Sequence, residues 1–188
     1  MEFVEFAEAW PSLARRGITE TRDAAAPGSL AIDPTKSPTS LELGPGARGE
    51  RAIDATVERA AAAFETICHK LHLTPLHVIP FGTWRPVFDV VSFGLAKNAQ
   101  WQKIDSQASV ELNTRDALVF EQRNLHTLRD LASTLLTDGE STSAGVSVVA
   151  TGQTMVAHLV PKHPIRITFA SPQVADQARD AAQHFLSA

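Results

Sequence analysis

The sequence predicts an α+β fold: an antiparallel, meandering sheet with helices packed on one face, preceded by an N-terminal helical arm. Three observations predict it. Short apolar segments alternate with period two, longer ones repeat every three to four residues, and turn-forming residues punctuate the boundaries between them. Twice, strand-like runs lead into one amphipathic helix. Pro86–Leu95, Ala108–Asn113 and Ala117–Gln122 precede a helix over Asn124–Leu136. Gly145–Ala150, Met155–Val160 and Ile165–Ala170 precede another over Pro172–Leu186.

Residues 1–17 are the arm. Phe3, Phe6, Trp10 and Leu13 fall on one helical face, Glu2, Glu5 and Glu8 come early, and Arg15 and Arg16 come late before Gly17. Those charges complement the helix dipole, and Pro11 predicts a kink or a fresh turn. A helix this short is marginal alone, so its aromatic stripe must pack on the main domain or on another chain. Residues 18–49 carry Pro27, Pro34, Pro38 and Pro45 with Gly28, Gly44, Gly46 and Gly49. They read as a linker with short paired segments at Leu30–Ile32 and Ser40–Leu43.

A single α+β domain is expected over 50–188. It opens on a helix from Glu50 to about Leu73, whose stripe is Ile53, Val57, Ala60, Phe64, Ile67 and Leu71, and Pro75 ends it. Thr151–Thr154 and Pro161–Pro164 read as hairpin turns. Ser171 followed by Pro172 marks the start of the last helix. Ile165, Ile167 and Phe169 alternate with Arg166, Thr168 and Ala170, so one sheet face lies under helices and the other meets water. The nominally outer parity nevertheless carries Phe88, Val90, Val119 and Val149. Such a face calls for a partner, a second subunit, or cover from the arm.

Composition narrows the function classes. Of 188 residues 44% are hydrophobic and 20% charged, ordinary for a globular protein, and the net charge of −4 disfavours nucleic-acid binding. The single cysteine, Cys68, excludes an intrachain disulfide framework and fits a reducing compartment. Met1-Glu2-Phe3-Val4-Glu5 lacks the basic run of a secretory signal, and no stretch has the length of a membrane span. The expected location is cytoplasmic, with no membrane and no nucleic-acid partner.

Several constellations are candidate sites. Gly44-Pro45-Gly46-Ala47-Arg48-Gly49 spells G-x-G-x-x-G before a helix, but no buried strand precedes it, Pro45 removes a donor N–H, and Val78–Gly82 carries no acid for a ribose. No cofactor is expected. Cys68, His72 and His77 form the densest group of metal-ligand types, with Cys68 and His72 one helical turn apart. Against a metal, Cys68 sits on the apolar stripe, where free cysteine serves as a small core residue. In His77–Asp89, rigid prolines and Gly82 frame Trp84 and Arg85, which suit a carboxylate or phosphate ligand. A plain Arg85–Asp89 ion pair is the competing reading. His158, with His77 or Asp89, is a candidate acid/base group; a hydrogen-bonded core histidine is the competing reading. Lys162, His163 and Arg166 make a small basic spot at a turn. No nucleophile motif occurs.

The expectation is a non-catalytic binding or assembly protein, a homodimer that engages a protein or peptide through its exposed sheet face. Two alternatives stand beside it. One is a small acid/base enzyme for an anionic molecule, with Arg85 as anchor and His77, Asp89 or His158 moving the proton. The other is a metal-binding protein using Cys68, His72 and His77. The element order after residue 50 (helix, strands, helix, strands, helix) resembles that of small acidic secretion chaperones over about three quarters of the chain. That resemblance implies a dimer holding an extended peptide along its surface. The third strand of the second half and the long linker depart from it.

Overall fold

The computed structural model describes residues 1–21, 23 and 26–188. Strand β1 (Glu2–Val4) leads into helix α1 (Phe6–Arg15), and a short antiparallel pair follows, β2 (Ile18–Glu20) with β3 (Leu30–Ile32). Then come β4 (Thr39–Leu43), β5 (Ala52–Ile53), α2 (Val57–Lys70), β6 (Leu76–Pro80), α3 (Trp84–Gly94) and α4 (Ala99–Asp105). The chain ends with β7 (Ala117–Phe120), α5 (Leu125–Asp138), β8 (Val146–Ala150), β9 (Met155–Leu159), β10 (Ile165–Phe169) and α6 (Pro172–Ser187). Eight strands form one sheet in the order β1-β7-β6-β8-β9-β10-β4-β5. Every neighbouring pair is antiparallel except β4 with β5. The α+β class and the antiparallel sheet are as the sequence predicts.

Alternation divides the sheet into two faces. Leu76 and Val78, Val146 and Val148, Met155 and Ala157, Ile165, Ile167 and Phe169, and Leu41 and Leu43 point towards the helices. There they join Ala60, Phe64 and Ile67 of α2, Trp84, Val87 and Phe88 of α3, Trp101 of α4, Leu128, Leu131 and Leu135 of α5, and Ala175 and Ala178 of α6. Thr56 caps α2 by accepting from the Arg59 N–H, and the Pro172 ring needs no donor at the start of α6. Among the described residues no helix is long and apolar enough to cross a membrane.

Of the three kinds of cover that the apolar outer parity calls for, the opposite face has the one supplied by the same chain. It is not open to water but is covered by the N-terminal segment, with Ala9, Leu13, Ile18, Leu30 and Ile32 packed on Ile79, Ala117, Val149 and Val156. Of the apolar residues that motivated a second subunit, Val149 is covered in this way from within the same chain, Val119 pairs with Glu2 of β1, and Phe88 and Val90 belong to α3 on the helix side. Residues 2–4 form an edge strand on β7, with Glu2 opposite Val119 and Val4 opposite Ala117, rather than the first turn of a helix. Pro11 lies inside α1, which closes at Arg16 and turns through Gly17 at φ 82°.

Three further differences have local causes. Residues of the expected linker contribute β2, β3 and β4. The anticipated segments Leu30–Ile32 and Ser40–Leu43 are strands, but they pair with β2 and with β10 and β5, not with each other. That linker also spans Arg22, Ala24 and Ala25, which lie outside the described residues. Pro86–Leu95 is helix, not strand. Trp84, Val87, Phe88 and Val91 bury one side at positions i, i+3, i+4 and i+7, and Pro86 sits in the first turn, where its missing N–H costs nothing. Ala108–Asn113 is a turn closed by a 3₁₀ segment at Glu111–Asn113, and Val110 is left exposed. The first α2 turn comes at Val57, because Ala52 and Ile53 pair with Glu42 and Leu43 instead. Consequently β6, two helices and β7 lie between α2 and α5, and the order that resembles secretion chaperones is not the order observed.

Candidate functional site

A cleft of about 840 Å³ opens where the glycine loop, the start of α2, the end of α5 and the β9–β10 turn meet. Pro45 and Gly46, Asp54–Glu58, Leu136 and Thr137, and Lys162 and His163 line it. Its walls are braced by the chain itself. The Gly46 N–H donates to Asp54 Oδ1 at 3.0 Å, and the Arg48 N–H donates to Glu42 Oε2 at 3.1 Å. Two amides of the G-x-G-x-x-G loop are thus engaged by the protein's own carboxylates, and neither is free for a pyrophosphate. On the far wall Lys162 Nζ donates to the Thr137 carbonyl and the Lys162 N–H to the Leu136 carbonyl, which closes the C-terminal end of α5. His163 Nδ1 lies 2.8 Å from the Pro161 carbonyl, so that nitrogen carries the proton. The apolar lining comes from Val57, Ala55, Leu136 and Pro45, with Asp54, Glu58, Lys162 and His163 at the rim.

The residues singled out from the sequence do not converge. Trp84 is fully buried, donates from Nε1 to the Asp116 carbonyl at 2.7 Å, and packs edge-on against Phe3 and Phe88. It anchors the core instead of stacking on a ligand. Arg85 and Asp89 are both exposed on α3, and Arg85 Nη2 contacts Asn113 Oδ1 at 3.4 Å rather than the Asp89 carboxylate. A smaller cleft of about 550 Å³ does open on the expected segment, but Phe81, Gly82, Thr83 and Pro86 line it, together with Pro27, Thr142 and Ser143. Neither Trp84 nor Arg85 is among them.

His77 and His158 lie on the outer face of the sheet, on β6 and β9 with β8 between them. Burial pushes the imidazole of His77 below its ordinary range, and the Glu121 carboxylate pulls the other way. His158 is lowered by burial too, opposed by its bond to the Leu30 carbonyl and helped by the Arg166 charge. Asp89 sits on α3, on the helix side. Nothing therefore brings an acid, a base and the Arg85 anchor to one substrate position.

The metal grouping is separated as well. Cys68 is buried in the helix-side core, where burial raises its thiol far above the ordinary range. His72 follows the end of α2 at φ 51° and is exposed, while His77 belongs to the opposite sheet face. Among the described residues no three His, Cys, Asp or Glu side chains gather to hold an ion.

The cleft was missed in the sequence because its lining comes from four separate stretches. The glycine loop and the Pro161–Pro164 turn were each visible, and so was the basic spot. Lys162 and His163 do reach the cleft, whereas Arg166 sits opposite His158 on the outer sheet face. Comparisons with protein-family models, with curated proteins and with solved structures find nothing that matches this chain.

Proposed function

We propose that this protein is a non-catalytic binding module that takes an extended peptide in the cleft between the glycine loop and the β9–β10 turn. The observation that carries the reading is the bracing of the walls. Asp54, Glu42 and Lys162 spend their polar capacity on the loop and helix ends that shape the cleft. What remains available is apolar surface from Val57 and Ala55, with buried Leu136 behind them, beneath a rim of mixed charge. A pre-formed recess of this size, with an apolar floor and a few polar groups at its edge, suits one or two apolar side chains of a peptide. The mixed rim favours a backbone with polar flanks over a strongly charged ligand. The sheet face is less suited, since the N-terminal segment occupies it.

The acid/base alternative needs Arg85, His77 or His158, and Asp89 to share one site, but Arg85 and Asp89 lie on α3 and both histidines on the outer face of the sheet. The test is an amide-shift titration of the labelled protein with short peptides bearing one central Leu, Phe or Val. The expected shifts cluster at 45–46, 54–58, 136–137 and 162–163, and Ala55→Trp, which fills the floor, removes them while leaving other resonances in place. Shifts centred elsewhere, or none with any of the peptides, would overturn the proposal.

A further inference from the structure

We propose that α1, β2 and β3 form a releasable cover on the outer face of the sheet, latched by His158 and opened by acid. The cover is a layer of its own. Its apolar residues form a cluster distinct from the helix-side core, built from α1, β2 and β3 on Ile79, Ala117, Val149 and Val156. Beyond that small apolar contact, a few polar clasps hold it down. The Phe6 N–H donates to Asp116 Oδ1 at 3.1 Å. Arg115 pairs with Glu20 at 2.7 Å, donates to the Gly28 carbonyl at 2.7 Å, and lies over the Phe6 ring. At the centre, Leu30 is gripped twice: its N–H donates to Ser147 Oγ at 3.0 Å, and its carbonyl accepts from His158 Nε2 at 2.6 Å.

A carbonyl only accepts, so Nε2 of His158 carries a proton in the closed state. Among the described residues, the elements around the ring offer no carboxylate partner for a second one. From β3 it meets the Leu30 carbonyl, from β8 the Ser147 hydroxyl opposite it, and from the end of β6 the edge of the Phe81 ring. From β10 it meets Arg166, its direct cross-strand neighbour. Glu42 follows Arg166 along the same row, and its Oε2 accepts the Arg48 N–H. An imidazolium at this position would be half-buried beside a guanidinium, and burial together with Arg166 accordingly holds the group below its ordinary value of 6.5. Lifting the cover hydrates the ring and restores its affinity for a proton. Protons therefore favour the open form as pH falls below about 6.5, by at most about tenfold per pH unit for one titrating group.

Gly28 supplies an independent handle. It lies at φ 82°, and a Cβ there would stand 1.9 Å from the Phe81 carbonyl oxygen, so Gly28→Ala prevents the hairpin from seating at any pH. The experiment is hydrogen exchange on the full chain at pH 7.5, 6.5 and 5.5, expressed as protection factors corrected for intrinsic rates. Expected for the wild type is a loss of protection of up to about fivefold between pH 6.5 and 5.5, and up to about tenfold between pH 7.5 and 5.5, in 6–20 and 29–32, with 57–70 and 125–138 unchanged. His158→Gln, which keeps a donor but cannot titrate, should hold the same segments closed with no such pH dependence, and Gly28→Ala should show them open already at pH 7.5. The proposal is overturned if the wild-type segments keep constant protection, if His158→Gln retains the pH dependence, or if α2 and α5 lose protection in parallel with the cover.

Discussion

On the helix side of the sheet, Leu76, Val148 and Ile167 lie under α2, α5 and α6, helices of 14 to 16 residues whose own stripes interlock. On the outer side, Ile79, Val149 and Val156 lie under a ten-residue helix and two three-residue strands. Long helices bring enough periodic apolar surface to hold themselves in place. Short pieces do not, and the outer layer is fixed by point contacts instead, at Ser147, His158, Arg115 and Asp116. The same sheet thus has one face sealed by area and one sealed by clasps. Clasps can be undone singly, which makes the outer layer the place to expect partial opening.

The largest effect should come from cutting the sealed face. Phe64→Ala, at a fully buried position, should cost about 3–5 kcal/mol and lower the denaturant midpoint of the whole molecule. Leu13→Ala, equally buried but in the outer layer, should cost about 2–4 kcal/mol. Here the loss should appear first as faster exchange in 6–32, with α2 and α5 still protected. Trp84→Phe should cost about 1–2 kcal/mol in chemical unfolding, because it leaves the Asp116 carbonyl without its indole donor. Stability should also fall with acidity below about 6.5. His158 and His77 both have their proton affinity lowered by folding, so their contributions are present above the ordinary histidine range and diminish as pH drops; a urea series at pH 7.5 and 5.5 reads this, and His158→Gln should reduce the slope to the part that His77 supplies. Smallest of all, Arg85→Ala or Asp89→Ala should change stability by no more than about 0.5 kcal/mol, since both side chains are exposed and unpaired with each other.

This contrast also explains what could be read from the chain. The sealed face was largely legible. α5, α6 and β8–β10 lie where their periods put them, because each is long enough to complete several repeats. Pro86–Leu95 reads as strand because it is rich in β-branched and aromatic residues, yet Trp84, Val87, Phe88 and Val91 carry a helical stripe that this composition hides. The clasped face was illegible in detail. Three residues, as in Ile18–Glu20 or Leu30–Ile32, complete no diagnostic period, and glycines and prolines that suggest a linker here make the turns of a cover. For the site, Trp84 and Arg85 share a rigid segment, but helical geometry sends one into the core and the other into water. His158 stands out in an apolar strand; its partner, the carbonyl of Leu30, is 128 positions away, and only the fold brings it there.

The most direct test of a sheet closed on both faces is a methyl-resolved NOE spectrum at neutral pH. Contacts from the Leu13 and Ile32 methyls to those of Val149 and Val156 are predicted, alongside the helix-side contacts of Ile67 and Leu131. Helix-side contacts of normal intensity with none between Leu13 or Ile32 and Val149 or Val156 would contradict it, and would mean that the outer face stands open.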